Sequence, residues 1–197
     1  MKEDKTISYY NTNANDFASM TVCIDFHAMQ KKFTDLLPQD ARILDFGCGS
    51  GRDTKYFLSQ GYQVDAVDGS TAMCRLASEY TGIAVKHMFF EELAQVEMYD
   101  GIWACSSILH LPRRQLADVM NKMAAALREK GVIYTSFKYG TFAGERNGRY
   151  FTDMTQDTFA AFIAEIAPVT IEEQWVTFDA RPERKEEKWL NIILRKK

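Results

Sequence analysis

The sequence predicts a doubly wound α/β domain, a mostly parallel sheet with helices on both faces and a last strand running antiparallel to its neighbour. Three observations carry that expectation. Short β-branched and aromatic runs alternate with helical stretches of roughly ten to fifteen residues, and such alternation demands crossover connections, hence a parallel sheet. A glycine-rich turn, "GCGSG", joins the first of these runs to a helix. The final two runs are separated only by a short charged loop, which fits a hairpin.

Each element can be justified in turn. "RILDF" (42–46) is a strand halted by Gly47, and "TKYFLSQ" (54–60) places Tyr56, Phe57 and Leu58 toward one side of a short helix. Gly61 ends that helix, and "YQVDAV" (62–67) is the second strand. Ser70 can cap the helix that begins "STAMCRLASEY". "AVKHMFF" (84–90), "GIWACS" (101–106) and "GVIYTSF" (131–137) are the next strands. Between the last two, Leu116, Val119, Met120, Met123 and Leu127 recur at helical spacing, with Gly131 as the stop. A helix near "QDTFAAFIAEIA" (156–167) precedes the terminal hairpin, "VTIEEQWVTF" and "KWLNIILRK" around "DARPERKEE". Residues 6–37 are helical and lie outside the alternation, where they could form a lid.

Composition narrows the function classes. The chain has 197 residues, 46% of them hydrophobic, which suits one core and one domain over 1–197. Repeats and low-complexity tracts are absent. A net charge of −3 with scattered basic residues offers no footprint for nucleic acid or an anionic membrane. The start, "MKEDKTISYY", holds no signal core, and no run of about 18 apolar residues could span a bilayer, so a cytoplasmic protein is expected. Cys23, Cys48, Cys74 and Cys105 lie 25 or more positions apart without C-x-x-C spacing, which reads as reduced thiols and no metal site.

In open α/β sheets the ligand lies at the carboxyl ends of the strands, closest to the first strand-to-helix turn. Gly47, Gly49 and Gly51 make that turn, where a missing Cβ lets backbone groups touch a ligand. A phosphate-binding loop needs G-K-[ST] where this chain has "GRDT". A dinucleotide fingerprint needs its third glycine at 52, which is Arg, so NAD is the runner-up ligand. Asp68 ends the second strand 17 residues after Gly51, where its carboxylate can accept both hydroxyls of a ribose. Asp45, at the end of the first strand, suits an ammonium group. Ribose plus ammonium, without a phosphate device, describes S-adenosylmethionine.

"ILDFGCGSG", "VDAVDGS", "YDGIWACSSILH" and "GVIYTSF" together resemble the successive motifs of class I S-adenosylmethionine-dependent methyltransferases, over about residues 40–140. "GCGSGRDTKYF", "SFKYG" and "ERNGRYFTDMT" are similar to the small bacterial tellurite-resistance-like subgroup. The resemblance implies a Rossmann-like seven-stranded sheet with the last strand antiparallel. It implies that Asp45, Gly47 and Gly49, with Cys48 and Gly51 in the same turn, surround the methionine part of the cofactor. Asp68, followed by Gly69 and Ser70, takes the ribose, and Met73 flanks adenine. The family often has Asp in the third motif where this chain has Phe89, so adenine is placed against Phe90, with Glu91 the nearest polar group. Cys105 and Ser106 fall below the sulfonium.

The expected activity is S-adenosylmethionine-dependent methyl transfer to a small molecule, with S-adenosylhomocysteine as product, by a monomer or homodimer. A noncatalytic S-adenosylmethionine-binding module and an NAD-dependent oxidoreductase are the alternatives. His110, just past the fourth strand, is the one histidine placed to act as a base. Residues 138–154 leave the carboxyl edge of the fifth strand and read as a substrate loop bearing Lys138, Tyr139, Arg149 and Tyr150. Tyr10 is expected to close over the cofactor, Arg52 to pair with Asp53 and solvent in preference to the cofactor carboxylate, and "RPERKEEK" to be a solvated hairpin loop. Nucleic-acid base methylation is disfavoured, because N-P-P-Y, D-P-P-Y and Pro-Cys motifs are missing.

Overall fold

A computed structural model describes residues 4–165 and 168–197. Three short helices lead, α1 (Lys5–Thr12), α2 (Ala14–Thr21) and α3 (His27–Thr34). The alternating series follows as β1 (Arg42–Phe46), α4 (Arg52–Ser59), β2 (Gln63–Asp68), α5 (Thr71–Thr81), β3 (Lys86–His87), β4 (Tyr99–Ala104), α6 (Arg113–Ala126) and β5 (Leu127–Lys138). The chain then forms β6 (Ala143–Arg146), β7 (Arg149–Thr152), α7 (Gln156–Ala164), β8 (Val169–Phe178) and β9 (Lys188–Lys196). The main sheet has seven strands in the order β3-β2-β1-β4-β5-β9-β8. β9 runs antiparallel to both β5 and β8, and the other pairings are parallel.

Strand periodicity divides the core between the two faces. Leu44, Ile102, Ile133 and Phe137 pack with Leu116, Val119, Met120 and Met123 of α6 and Phe159 and Phe162 of α7. Their neighbours Ile43, Trp103, Val132 and Tyr134 turn to the opposite face and meet Phe33 of α3 and Phe57 of α4. Trp103 and Tyr134 stack with ring centroids 4.0 Å apart at 14°. Fully burying one such side chain contributes roughly 1.5–3 kcal/mol, so this face fixes where α3 and α4 lie, and with them the mouth of the glycine turn.

Four sequence expectations are corrected. The third strand shrinks to Lys86–His87 at the sheet edge, because after Phe89, whose side chain stays exposed, the chain enters a 3-10 segment, Phe90–Glu92, with the Phe89 N–H donated to Glu92 Oε2 at 2.7 Å. Leu127 starts β5 instead of ending the preceding helix, since it pairs with Tyr99 across a bulge. Residues 138–154 form a hairpin, β6 against β7, rather than a loop. The helix expected over 156–167 runs Gln156–Ala164, and residues 166–167 lie outside those described.

Candidate active site

The glycine turn leaves β1 with positive φ at Gly47 (86°), Gly49 (54°) and Gly51 (79°). A Cβ on Gly47 would lie 2.5 Å from Ser107 Cβ, and one on Gly51 would lie 2.8 Å from Thr81 Cγ2. Those two glycines let the turn press against the segment after β4 and against α5. A Cβ on Gly49 would meet nothing nearer than Phe17, at 3.8 Å. The middle of the turn therefore faces open space.

That space is a cavity of about 720 Å³ at the carboxyl edge of the sheet. Its floor is the turn and the strand ends of β2 and β4, and its walls come from α1, α2, the β6–β7 hairpin and the β8–β9 connection. Asp68 lines it and is fixed from below: Gly49 N–H donates to Oδ2 at 2.9 Å and Ser70 N–H to Oδ1 at 2.8 Å. Burial raises the Asp68 carboxyl above its ordinary value, and those two backbone bonds oppose the rise. Each oxygen has a further lone pair to offer a ligand. Ser70 itself caps α5, and its hydroxyl donates to Asn11 Oδ1 at 2.7 Å, which ties α1 over this corner.

Of the residues selected from the sequence, Asp45, Gly51, Ser70 and Tyr150 stand off the cavity wall and the others line it. Asp45 is the main correction. It is 2% exposed, receives the Thr54 hydroxyl at 2.5 Å and lies behind the cavity wall instead of on it. Burial, reinforced by the nearby Asp53 charge, raises its carboxyl far above the usual range. Arg52 forks onto Asp53, with Nε and Nη2 each donating at 2.8 Å, but Asp53 is buried rather than solvated and also accepts from Gln30 and Trp103. Cys105 lines the wall with its thiol pushed up to about 12, first by burial and then by the Asp53 charge.

His110 follows β4 in a short 3-10 turn. Its Nδ1 is 2.6 Å from the Tyr150 carbonyl, which can only accept, so Nδ1 carries the proton. Burial keeps the imidazole neutral, so Nε2 is an acceptor, and the Tyr10 hydroxyl donates to it at 2.9 Å. The Tyr10 oxygen in turn accepts from Arg149 Nη1 at 3.3 Å. One wall thus carries a hydrogen-bonded series from Arg149 through Tyr10 and His110 to β7.

Residues 43–131 match the model of a family described as a methyltransferase domain. The match spans less than half of the chain. The chain is 23% identical over 125 residues to an uncharacterized methyltransferase of Staphylococcus carnosus, an alignment covering 60% of each protein. Among solved structures it is similar to the 1,6-didemethyltoxoflavin N1-methyltransferase of Burkholderia thailandensis, which was crystallised with 1,6-didemethyltoxoflavin and S-adenosylhomocysteine. The TM-score is 0.78 at 24% identity, over 96% of this chain and 86% of that one. TehB from Haemophilus influenzae gives a TM-score of 0.71 at 16% identity, over 94% and 67% of the two chains. The fold is the Rossmann-like methyltransferase fold.

Beyond the matched segment, the cavity has walls that the sequence did not reveal. The β8–β9 connection, read from its charges as solvated, lines the cavity. Asp179 is buried in it, where burial would raise the carboxyl but hydrogen bonds from Arg181 and Trp189 hold it near 2. Lys138 pairs with Glu187 and is pushed down to about 8 by burial, with Arg184 adding to the shift. Phe17 and Thr21 of α2 are also on the wall. No helix among the described residues is long and apolar enough to cross a membrane.

His110 gives the domain a pH signature. Burial holds its imidazole down to about 4, opposed by the Tyr150 carbonyl and reinforced by Arg149 and Arg146. An unfolded histidine titrates near about 6.5, so stability is complete above that value and is lost as pH falls through the folded value. The gap corresponds to on the order of 3 kcal/mol. Denaturant melts should show wild type losing that much more stability than His110→Gln between pH 7 and pH 4 (about the two limits of the titration). Equal acid slopes for the two proteins would contradict a buried neutral imidazole.

Proposed function

We propose that the chain is an S-adenosylmethionine-dependent methyltransferase that alkylates a small organic acceptor by in-line displacement. The observation that carries this reading is Asp68, with both oxygens held by backbone N–H groups at the lip of a bare glycine turn, facing the cavity. Those residues fit a ribose, and Gly49 leaves room for the methionine chain. When bound, S-adenosylmethionine supplies a methyl group already activated for displacement, so the chain's work is alignment and exclusion of water.

Within this reading Met73 and Phe90 flank adenine, with Gly69 and Glu91 beside it, and Cys48 belongs to the turn. Cys105 and Ser106 lie beneath the sulfur. Lys138, Tyr139 and Arg149 form the acceptor wall, which Tyr150 supports through its carbonyl. Where the acceptor gives up a proton, Tyr10 takes it as its own proton passes to His110 Nε2. Residues 6–37 and 138–154 act as lid and substrate wall; α1 already touches the hairpin through Thr6 Oγ1, which accepts the Tyr150 N–H at 3.1 Å. The toxoflavin-type neighbour supports a small-molecule acceptor. "SFKYG" and "ERNGRYFTDMT", with the TehB likeness, support the tellurite-resistance-like subgroup. We place the enzyme in the cytoplasm as a monomer or homodimer.

The test has two parts. Calorimetry should show S-adenosylhomocysteine binding, with hydrogen exchange slowing in α1 and the β6–β7 hairpin together. Labelled cofactor should then transfer methyl to a member of a panel of thiols, catechols, quinols and oxidised selenium or tellurium species. Lack of cofactor binding would sink the reading, and binding without any transfer would leave a noncatalytic module.

A further inference from the structure

The cavity wall contains one guanidinium whose charge the protein does not answer. Each other buried or half-buried cation on that wall has an acid: Arg52 with Asp53 at 2.8 Å, Arg146 with Asp153 at 2.7 Å, and Arg181 with Asp179 at 2.6 Å. Lys138 and Arg184 share Glu187. Arg149, half-buried on β7, has no carboxylate partner among the described residues. Its Nε is buried without a hydrogen-bond partner, and Nη1 has only the neutral Tyr10 hydroxyl. Its guanidinium carbon lies 4.4 Å from the Tyr9 ring centroid, 5.2 Å from Phe151 and 5.7 Å from Tyr10.

Aromatic faces offset a desolvated cation only partly, and a charge withdrawn from water without a counter-ion is destabilising. Such a group is tolerated where a ligand completes it. A guanidinium is also the side chain best shaped for a planar oxyanion, which it can hold by two parallel hydrogen bonds. The neighbouring His110–Tyr10 pair cannot serve as counter-ion, because an imidazole carries no negative charge and burial raises the Tyr10 phenol above its ordinary value, which keeps it protonated.

We propose that Arg149 is the docking point for an organic oxyanion, a carboxylate or a deprotonated enol or phenol, carried by the methyl acceptor. The inference rests on the methyltransferase reading and names its substrate class. The same chemistry exists in the carboxylate of the cofactor's methionine. Arg149 is assigned to the acceptor because it belongs to the hairpin and is hydrogen-bonded into the Tyr10–His110 series beyond β4, whereas the methionine chain follows the glycine turn. The other buried or half-buried cations on the wall are already paired and Lys188 is exposed to solvent, so an anionic acceptor gains most at this one position.

The experiment titrates protein saturated with S-adenosylhomocysteine with benzoate and salicylate beside benzamide and salicylamide, by calorimetry, at low and high salt. Wild type should bind the acids at least tenfold tighter than the amides, a preference that shrinks as salt rises. Arg149→Met should abolish the preference and Arg149→Lys should keep part of it, with S-adenosylhomocysteine affinity within about twofold of wild type in both. Equal binding of acids and amides by wild type, or no acid binding at all, overturns the proposal without any variant. A tenfold loss of S-adenosylhomocysteine affinity in Arg149→Met, with the acid preference intact, assigns the group to the cofactor and overturns it too. If wild type fails to bind S-adenosylhomocysteine, it is the methyltransferase reading that has failed; if it binds and only the acids are refused, that reading stands.

Discussion

Asp68→Ala is expected to lower the affinity for S-adenosylhomocysteine at least tenfold while the domain remains folded. The carboxylate is preorganised: Gly49 N–H and Ser70 N–H each occupy one lone pair of a different oxygen, at 2.9 and 2.8 Å. The remaining lone pairs face the cavity, spaced to accept two vicinal hydroxyls. A hydrogen bond to a charged group contributes roughly 1.5–3 kcal/mol, so losing one already costs about tenfold in affinity and losing two exceeds a hundredfold. The fold should survive because α5 keeps its own cap, Ser70 Oγ accepting Met73 N–H at 3.2 Å. Burial raises the Asp68 carboxyl, so affinity should also decline as pH falls through that raised value, where the group ceases to be a double acceptor. Asp68→Asn retains one oxygen and should fall between the two. Calorimetric affinity unchanged in a folded Asp68→Ala protein would remove this residue from ribose recognition.

The place of Asp68 on the cavity wall was legible because two independent features converge on it: a strand ending in an acid, and a glycine turn at a fixed distance before it. Asp45 has an equally suggestive position, yet the sequence does not say which way a strand-end side chain points. β1 lies between β2 and β4, and Thr54, one turn into α4, reaches back to claim the carboxylate. Asp53 was hidden in a similar way, since its partners Gln30 and Trp103 come from α3 and β4, 23 and 50 residues away. The β8–β9 connection is exposed at Glu183, Lys185, Glu186 and Lys188, as its charges suggested, and its second place, on the cavity wall, was to be found in the topology. Since β9 is antiparallel to both neighbours, β8 ends at the same edge as the parallel strands, and whatever joins the two strands must border the ligand. The hairpin within 138–154 left a weaker signal, the turn at Asn147-Gly148, where φ is 51° and 74°.

Asp53→Ala should be the most damaging single polar substitution in the domain, lowering the unfolding free energy by about 3–5 kcal/mol. The carboxylate answers four donors: Arg52 Nε and Nη2 at 2.8 Å, Gln30 Nε2 at 2.7 Å and Trp103 Nε1 at 2.8 Å. Burial alone would raise its pKa, but the Arg52 charge and these hydrogen bonds hold it below the ordinary value. Its stabilising contribution is therefore present above the unfolded carboxylate value and is lost as pH falls through the folded one. Removing the side chain strands Arg52 without its hydrogen-bonded carboxylate, beside the Phe26 ring, 4.5 Å from its guanidinium carbon, the Cys105 sulfur at 3.9 Å and the more distant charge of Asp45. It also orphans the Trp103 indole N–H inside the stack with Tyr134, where an unsatisfied donor costs about 1–3 kcal/mol. For a chain of this length each kcal/mol moves Tm by about 2–4 °C, so a drop of roughly 10 °C is expected. Asp53→Asn, which keeps an acceptor for Trp103 but no charge for Arg52, should lose less. Urea melts at pH 7 (above the titration of a free carboxyl near about 4) decide the matter. A loss under about 1 kcal/mol, the ordinary worth of an exposed ion pair, would mean that Arg52 and Asp53 are solvated after all.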